Sequence, residues 1–329
     1  MVQSHDKVVD RPYAEPIMMT SLNTDHNDSP QSSSQALGID SLKTNEALIF
    51  IHLMKTGGTT LFQLIQRHYP EEKTFHYVPL KDGQKLQDLE QMERSQKDQL
   101  KFIHGHAKFG FHEHLKQPAR YITMLREPVS RVISLYYFTH QNPKRDMPAD
   151  KWCPTLSSYL DTQLKGFNNT QTRAIAGPLA AQVPFGKETP EMLEMAKQNL
   201  DKFLMVGVTE RFDESVIVLK HALDLKHILY SRVNENSQKP KIDSIDVADI
   251  ERIKEYNSLD QQLYAYANQQ LDQKIKQIGD AFQDEYETFR QKKKQLNTMF
   301  PSNSNDEESK PNFVGRVRQK LKKLWIKIN

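Results

Sequence analysis

A lysine followed by two glycines and two threonines, Lys55-Thr56-Gly57-Gly58-Thr59-Thr60, is the first group in this chain whose residue types and spacing suit chemistry. Adjacent glycines let the backbone turn tightly and approach a ligand closely. Thr59 and Thr60 can donate hydroxyl hydrogens, and Lys55 adds a positive charge. Further along, His104-Gly105-His106 places two imidazoles two residues apart, and Arg126-Glu127-Pro128 is followed by Arg131 and Ser134. An arginine forks onto phosphate-like anions. An imidazole titrates near working pH and suits proton transfer. An anion site, a second anion site and a candidate base are therefore spread over about eighty residues.

The elements around these residues follow from pattern. The apolar, isoleucine-rich run that leads into the Lys55 loop reads as a buried strand starting near Leu48. Leu61-Phe62-Gln63-Leu64-Ile65 then begins a helix that runs to about His68, and Pro70 stops it. Strand, small-residue loop and helix N-terminus form an anion site, because free N–H groups and the positive dipole end point into the loop. Phe102–His106 reads as a strand, on which His104 and His106 project to one side. Arg120–Leu125 is another strand. It leads into a helix opened by Pro128, with Glu127 at its positive end.

Leu86–Lys101 reads as an exposed helix, Gly177–Pro190 as a loop near an acceptor, and Pro190–Leu200 and Asp213–Leu223 as helices. Ser258-Leu259-Asp260-Gln261 has the form of a capping box. A long C-terminal helix follows, with one apolar face through Tyr264, Ala267, Leu271, Ile275, Ile278, Phe282, Tyr286 and Phe289.

Composition narrows the classes. The chain has 329 residues, 37% of them hydrophobic, and a formal net charge of +3, which leaves no global nucleic-acid footprint. Cys153 is the only cysteine, so an intrachain disulfide and a cysteine-based zinc cluster are both excluded. Residues 1–43 are polar and read as a disordered arm. Residues 300–312 read as a linker. Residues 313–329 carry six basic side chains and no acid, with Val314, Val317, Leu321, Leu324, Trp325 and Ile328 forming an apolar stripe on a helix. The other 39 basic residues face 42 acidic ones, so the basic character is local. Such a helix suits an anionic membrane surface, or it docks on protein. No run is long and apolar enough to span a bilayer, and Met1–Asp6 lacks the basic region and apolar run expected of a signal leader. A cytoplasmic protein, peripheral at a membrane if the tail binds there, is the expectation.

Three readings fit the residues so far. One is group transfer from a nucleotide through an anion loop. A second is a nucleotide-dependent phosphoryl transferase. The third is a non-catalytic nucleotide-binding or membrane-scaffold protein. The lysine precedes the glycines, so the order G-x-x-x-x-G-K-[ST] is not met and phosphoryl transfer loses ground.

Taken together, the two anion elements resemble those of sulfotransferases. Ile51–Thr60 resembles the 5′-phosphosulfate loop written P-K-T-G-G-T, and Leu125–Ser134 resembles the 3′-phosphate segment R-D-P-x-x-R-x-x-S. His104-Gly105-His106, Val206–Ser215 and Asn234–Pro240 are similar to segments of the carbohydrate branch that includes the heparan sulfate 2-O- and 6-O-sulfotransferases and bacterial relatives. Met54 stands in place of the usual proline, Glu127 in place of aspartate, and Gln238 in place of a basic residue.

The resemblance implies an α/β fold with a P-loop-like central parallel sheet flanked by helices, over 44–299. It implies 3′-phosphoadenosine 5′-phosphosulfate as donor, no metal, and a carbohydrate, glycolipid or similar hydroxyl as acceptor. Lys55 would act on the transferring group. Thr56, Gly57, Gly58, Thr59 and Thr60 would cradle the 5′-phosphate, and Arg126 and Ser134 would bind the 3′-phosphate. Lys239 would close a lid, and His106 would be the base with His104 helping. Gln171 and Arg173 lie in another segment similar to one near the cleft.

Overall fold

The computed structural model describes residues 40–77, 86–140, 152–162, 167–230 and 244–299. Lys239, the linker 300–312, the tail 313–329 and all but the end of the arm 1–43 lie outside the described residues.

The core strand is β1, Ala47–Ile51, and all five of its residues are fully buried. A continuous apolar run is what a strand covered on both faces requires. In chain order there follow α1 (Gly58–Gln66), β2 (Thr74–Tyr77), α2 (Leu86–Gln91), α3 (Arg94–Lys97), β3 (Phe102–Gly105), β4 (Ala119–Leu125), α4 (Pro128–Thr139), α5 (Leu156–Asp161), α6 (Thr170–Ala176), α7 (Pro178–Ala181), α8 (Pro190–Leu200), β5 (Met205–Val208), α9 (Phe212–Leu223), α10 (Val247–Tyr256), α11 (Ser258–Ile278) and α12 (Ala281–Met299).

The strands form one sheet in the order β2-β3-β1-β4-β5, and all four pairings are parallel. The expected α/β architecture with a central parallel sheet is what is found. From β1 the chain crosses to β2 on one side, and from β4 to β5 on the other. The carboxyl ends of β1 and β4 therefore flank a topological switch point, where α/β sheets form ligand crevices. The Lys55 loop follows β1 and Arg126 follows β4, so the fold sets the two anion elements on either side of that crevice.

Packing fixes the frame. The main core joins both faces of the sheet to α1, α8, α9, α11 and α12. A second cluster, including Val129, Val132, Ile133, Tyr136, Leu160, Phe167 and Ile253, clamps α4 against α5 and α10. The Glu127 carboxylate accepts from the N–H groups of Val129 (2.9 Å) and Ser130 (2.6 Å), and Pro128 opens α4 as its sequence indicates.

Three expectations need correction. The long C-terminal helix is two helices, because Gly279 takes φ +73 at the end of α11. A left-handed glycine is a common helix stop, and the apolar face resumes at Phe282 and Phe289. The capping box at Ser258 is not formed: the N–H groups of Leu259 and Asp260 are capped from far away in sequence, by Asn169 (3.0 and 3.1 Å). The exposed helix over Leu86–Lys101 is two short pieces, separated by extended backbone at Glu93. In addition, the Gly177–Pro190 loop contains a helical turn, α7.

Candidate active site

The loop after β1 is shaped by backbone geometry that few residues adopt. Lys55 (φ +67) and Gly57 (φ +78) are both left-handed, and Gly57 stands at the N-cap of α1 with no side chain capping it. The Gly57 carbonyl accepts from Thr60 and Leu61. Among the described residues, the N–H groups of Gly58 and Thr59 have no such partner. They are first-turn donors aimed into the crevice. The Thr56 hydroxyl donates to the Leu53 carbonyl (2.9 Å) and closes the loop, so its backbone N–H is what remains for a ligand. Thr59 is exposed, whereas Thr60 is buried.

The second anion element is tied to the first. Arg126 Nη1 donates to the Lys55 carbonyl at 2.9 Å, across a separation of 71 residues. Its Nε is buried without a hydrogen bond and lies 3.7 Å from Glu210 Oε1. The Glu210 carboxylate also accepts from the Tyr264 hydroxyl (3.0 Å) and from the Glu127 N–H (3.3 Å). Burial lowers the Arg126 pKa, and Glu210 and Glu127 pull it back up. Burial, then the Glu210 charge, pushes the Tyr264 phenol up to about 12. Thr209 links the walls: its hydroxyl lies 2.8 Å from the Thr56 carbonyl and 2.9 Å from that of Leu125. This accounts for the threonine in Val206-Gly207-Val208-Thr209.

Lys55 reaches α4. The Lys55 ammonium sits 3.9 Å above the centre of the Phe138 ring, a cation–π contact. Ser134 is half-buried one turn before Phe138, on the same helical face.

His104 and His106, the two imidazoles picked out by the sequence, are joined here by His52. β3 ends at Gly105 (φ +151), so His106 leaves the strand just beyond it. His104 and His106 nevertheless converge, because His52, one residue past β1, stands between them. His104 Nε2 is 3.1 Å from His52 Nδ1, and the His106 ring stacks on the His52 ring with centroids 5.2 Å apart. His106 Nδ1 lies 2.8 Å from the His52 carbonyl. A carbonyl only accepts, so Nδ1 carries a proton, and in the neutral tautomer this leaves Nε2 as the acceptor.

Burial, then the charges of His106 and Lys55, pushes the His52 pKa down to about 3. Burial, then His52, pushes His104 down to about 2. Both rings are therefore neutral at pH 7. The His52 ring lies directly over Gly58: a Cβ there would sit 2.0 Å from Cδ2 and 2.3 Å from Nε2. Gly58 is thus required by the imidazole above it, and His52 sits at the N-terminus of α1 beside Lys55.

The remaining candidates separate. The Gln171 side chain is buried and hydrogen-bonds the backbone of Arg126. Arg173 pairs with Glu188 (2.7 Å) and donates to the carbonyls of Ala180 and Val183, which braces the 180–188 segment. Among the described residues, no group of three or more His, Cys, Asp or Glu could hold a metal ion. No described helix is long and apolar enough to cross a membrane.

The site therefore offers uncapped N–H groups and a lysine on one wall, and an arginine with a serine on the other. Neutral imidazoles stand beside the loop. Such a set can hold an anionic nucleotide and take a proton from an acceptor.

Comparison with known proteins identifies what the chain is similar to. Residues 8–310 match a family model described as galactose-3-O-sulfotransferase. The chain is 26% identical over 297 residues to heparan-sulfate 6-O-sulfotransferase 1 of Homo sapiens, covering 76% of this chain and 69% of that protein. It is 25% identical over 286 residues to heparan-sulfate 6-O-sulfotransferase 1-A of Danio rerio, covering 69% and 65%. Among solved structures, a mouse sulfotransferase complexed with PAP is similar at a TM-score of 0.33 and 14% identity, over 69% of each chain.

Proposed function

The chain belongs to the galactose-3-O-sulfotransferase family, and from that premise we propose that it moves a sulfuryl group from 3′-phosphoadenosine 5′-phosphosulfate to a hydroxyl of a carbohydrate or glycolipid acceptor. Phosphoryl transfer and a non-catalytic scaffold are set aside by the family. The observation that carries the site assignment is the bond from Arg126 to the Lys55 carbonyl. It holds the two anion elements together at the switch point.

The donor supplies a sulfuryl group on a phosphate leaving group. In the transfer, the sulfur–oxygen bond to that phosphate breaks, a bond from the acceptor oxygen to sulfur forms, and the acceptor proton goes to an imidazole. The N–H groups of Gly58 and Thr59, with Gly57 and the Thr56 N–H, hold the 5′-phosphate. Thr60 lies buried behind them and supports the turn. Lys55 leaves the Phe138 ring and neutralises charge that builds on the leaving oxygen. Arg126 and Ser134 take the 3′-phosphate. His106 receives the acceptor proton at Nε2, with its Nδ1–H anchored on the His52 carbonyl, and His52 and His104 extend the neutral imidazole wall. Lys239 is proposed to close over the nucleotide. No residue in this scheme calls on a metal.

The test is calorimetric titration with adenosine 3′,5′-bisphosphate, with ADP plus magnesium for comparison. Metal-independent binding of the bisphosphate is expected. Arg126→Ala should weaken it by about 10- to 100-fold, the worth of a charge-assisted phosphate contact. Unchanged affinity would remove Arg126 from the nucleotide site.

The basic stretch 313–329 is further proposed to hold the enzyme, at the cytoplasmic face, against an anionic membrane where a lipid-linked acceptor would lie. Its local excess of charge supports this. The full chain should float with phosphatidylserine vesicles at low salt, and a chain ending at residue 312 should not. Equal flotation of the two would sink the idea.

A further inference from the structure

Gln171 is 1% exposed, yet it does more than fill space. Its Nε2 donates to the Arg126 carbonyl at 2.9 Å, and its Oε1 accepts from the Arg126 N–H at 2.9 Å. Arg126 lies one residue past the last sheet pairing, Leu125 with Val208, so its backbone has left the ladder. A buried backbone N–H and C=O both need partners. A primary amide can satisfy the two at once; a carboxylate lacks the donor, and an apolar side chain lacks both.

Gln171 is itself held from a distant helix. The Asp260 carboxylate accepts from the N–H groups of Gln171 (3.1 Å) and Thr172 (2.7 Å) and from the Thr172 hydroxyl (2.8 Å). Asn169, left-handed at φ +43, returns the favour at the start of α11 through its bonds to Leu259 and Asp260. Helices α6 and α11 thus cap one another. Arg131, fully buried, donates to the Thr170 hydroxyl and lies near the Asp260 charge. The brace is buried and sets an arginine beside a carboxylate, and the Gln171 amide links it to Arg126.

We propose that Gln171 is a positioning residue for recognition of the nucleotide 3′-phosphate. It fixes the direction in which Arg126 leaves the sheet, so that the guanidinium spans from the Lys55 carbonyl toward Glu210 with its outer edge facing the crevice. This rests on the reading of Arg126 as the 3′-phosphate ligand. A residue that only stabilised the fold would affect all nucleotides alike. A residue that aims Arg126 affects those bearing a 3′-phosphate.

The experiment compares adenosine 3′,5′-bisphosphate with adenosine 5′-monophosphate by calorimetry on the full chain. The unaltered protein is expected to prefer the bisphosphate. Gln171→Met, of similar length without hydrogen bonds, should lower bisphosphate affinity about tenfold, the worth of one to two hydrogen bonds. Monophosphate affinity should stay within about twofold on the same grounds. In turnover, donor KM should rise with kcat largely kept.

Equal losses for both nucleotides would overturn the proposal and leave Gln171 a residue of the fold alone. Should the methionine variant not fold, Gln171→Glu, which retains an acceptor for the Arg126 N–H, carries the same comparison. If the unaltered protein shows no preference for the bisphosphate, the 3′-phosphate assignment of Arg126 fails first, and this inference fails with it.

Discussion

A Lys55→Ala variant is expected to lose about 10²- to 10³-fold in kcat, the range found when one preorganised donor to developing charge is removed. Two features of the loop support so large an effect. The left-handed backbone at Lys55 directs the residue out of the strand and into the crevice, and that conformation is uncommon for a side chain with a Cβ. The carbonyl of the same residue anchors Arg126, which ties the lysine to the other wall. Alanine keeps the carbonyl, so the loop and the Arg126 bond should persist. Bisphosphate affinity should then fall much less than kcat, because the bisphosphate lacks the transferring group. Lys55→Arg should restore little, since a planar forked guanidinium does not place a compact point charge at the leaving oxygen. The check is steady-state turnover beside calorimetry, and a kcat near that of the unaltered protein would end the assignment.

The histidine cluster carries the second large effect. His106→Ala is expected to lower kcat by about 10²- to 10⁴-fold, the contribution of a positioned general base, and His52→Ala to lower it through loss of the ring on which His106 stacks. His52→Ala keeps the carbonyl that holds the His106 tautomer but removes the ring on which His106 stacks. Groups that act as a unit are not additive. The double variant should therefore be no slower than the slower single one. A double variant whose losses multiply would mean independent roles. Turnover unchanged in His106→Ala would move the base to His52.

The same cluster sets a pH dependence of stability. His52 and His104 take up protons near 6.5 when unfolded, but only near about 3 and about 2 when folded. Between those limits the unfolded chain binds more protons. Stability is therefore full above pH 6.5 and falls as pH drops through the window. Replacing His104 with leucine removes one such group and should flatten melting temperature against pH between 6.5 and 4. A curve parallel to that of the unaltered protein would contradict this.

Much of the site was legible because it is local. Lys55, the two glycines and the start of α1 lie within a few residues, and the chemistry of a strand-to-helix turn can be read from spacing alone. Arg126, Glu127 and Pro128 announce a helix start in the same way. His52 lies within the loop motif, but spacing alone assigns it no role. Its partner, His104, is 52 residues away, and the two meet only because β1 and β3 pair in parallel with Phe50 opposite His104. One signal was present: a histidine six residues before a glycine that must stay small. Gln171 suffers the same limit, since its bonds to Arg126 span 45 residues and its support from Asp260 spans 89. The break at Gly279 was legible and was passed over, because the apolar period continues across it.

The mutual capping of α6 and α11 also orders events in time. Helix α6 cannot satisfy its first N–H groups until the chain has been made as far as Asp260, and α11 in turn needs Asn169 already in place. Neither helix start is a local nucleus, so both belong to the slow, long-range part of folding, in which loop closure precedes any reward. During synthesis the phosphate loop and sheet strands β1 to β4 emerge well before α11 does. The arginine wall of the crevice is therefore the last part of the site to be set. A chain still growing lacks the Asp260 bonds that hold Gln171, and with them the support behind Arg126.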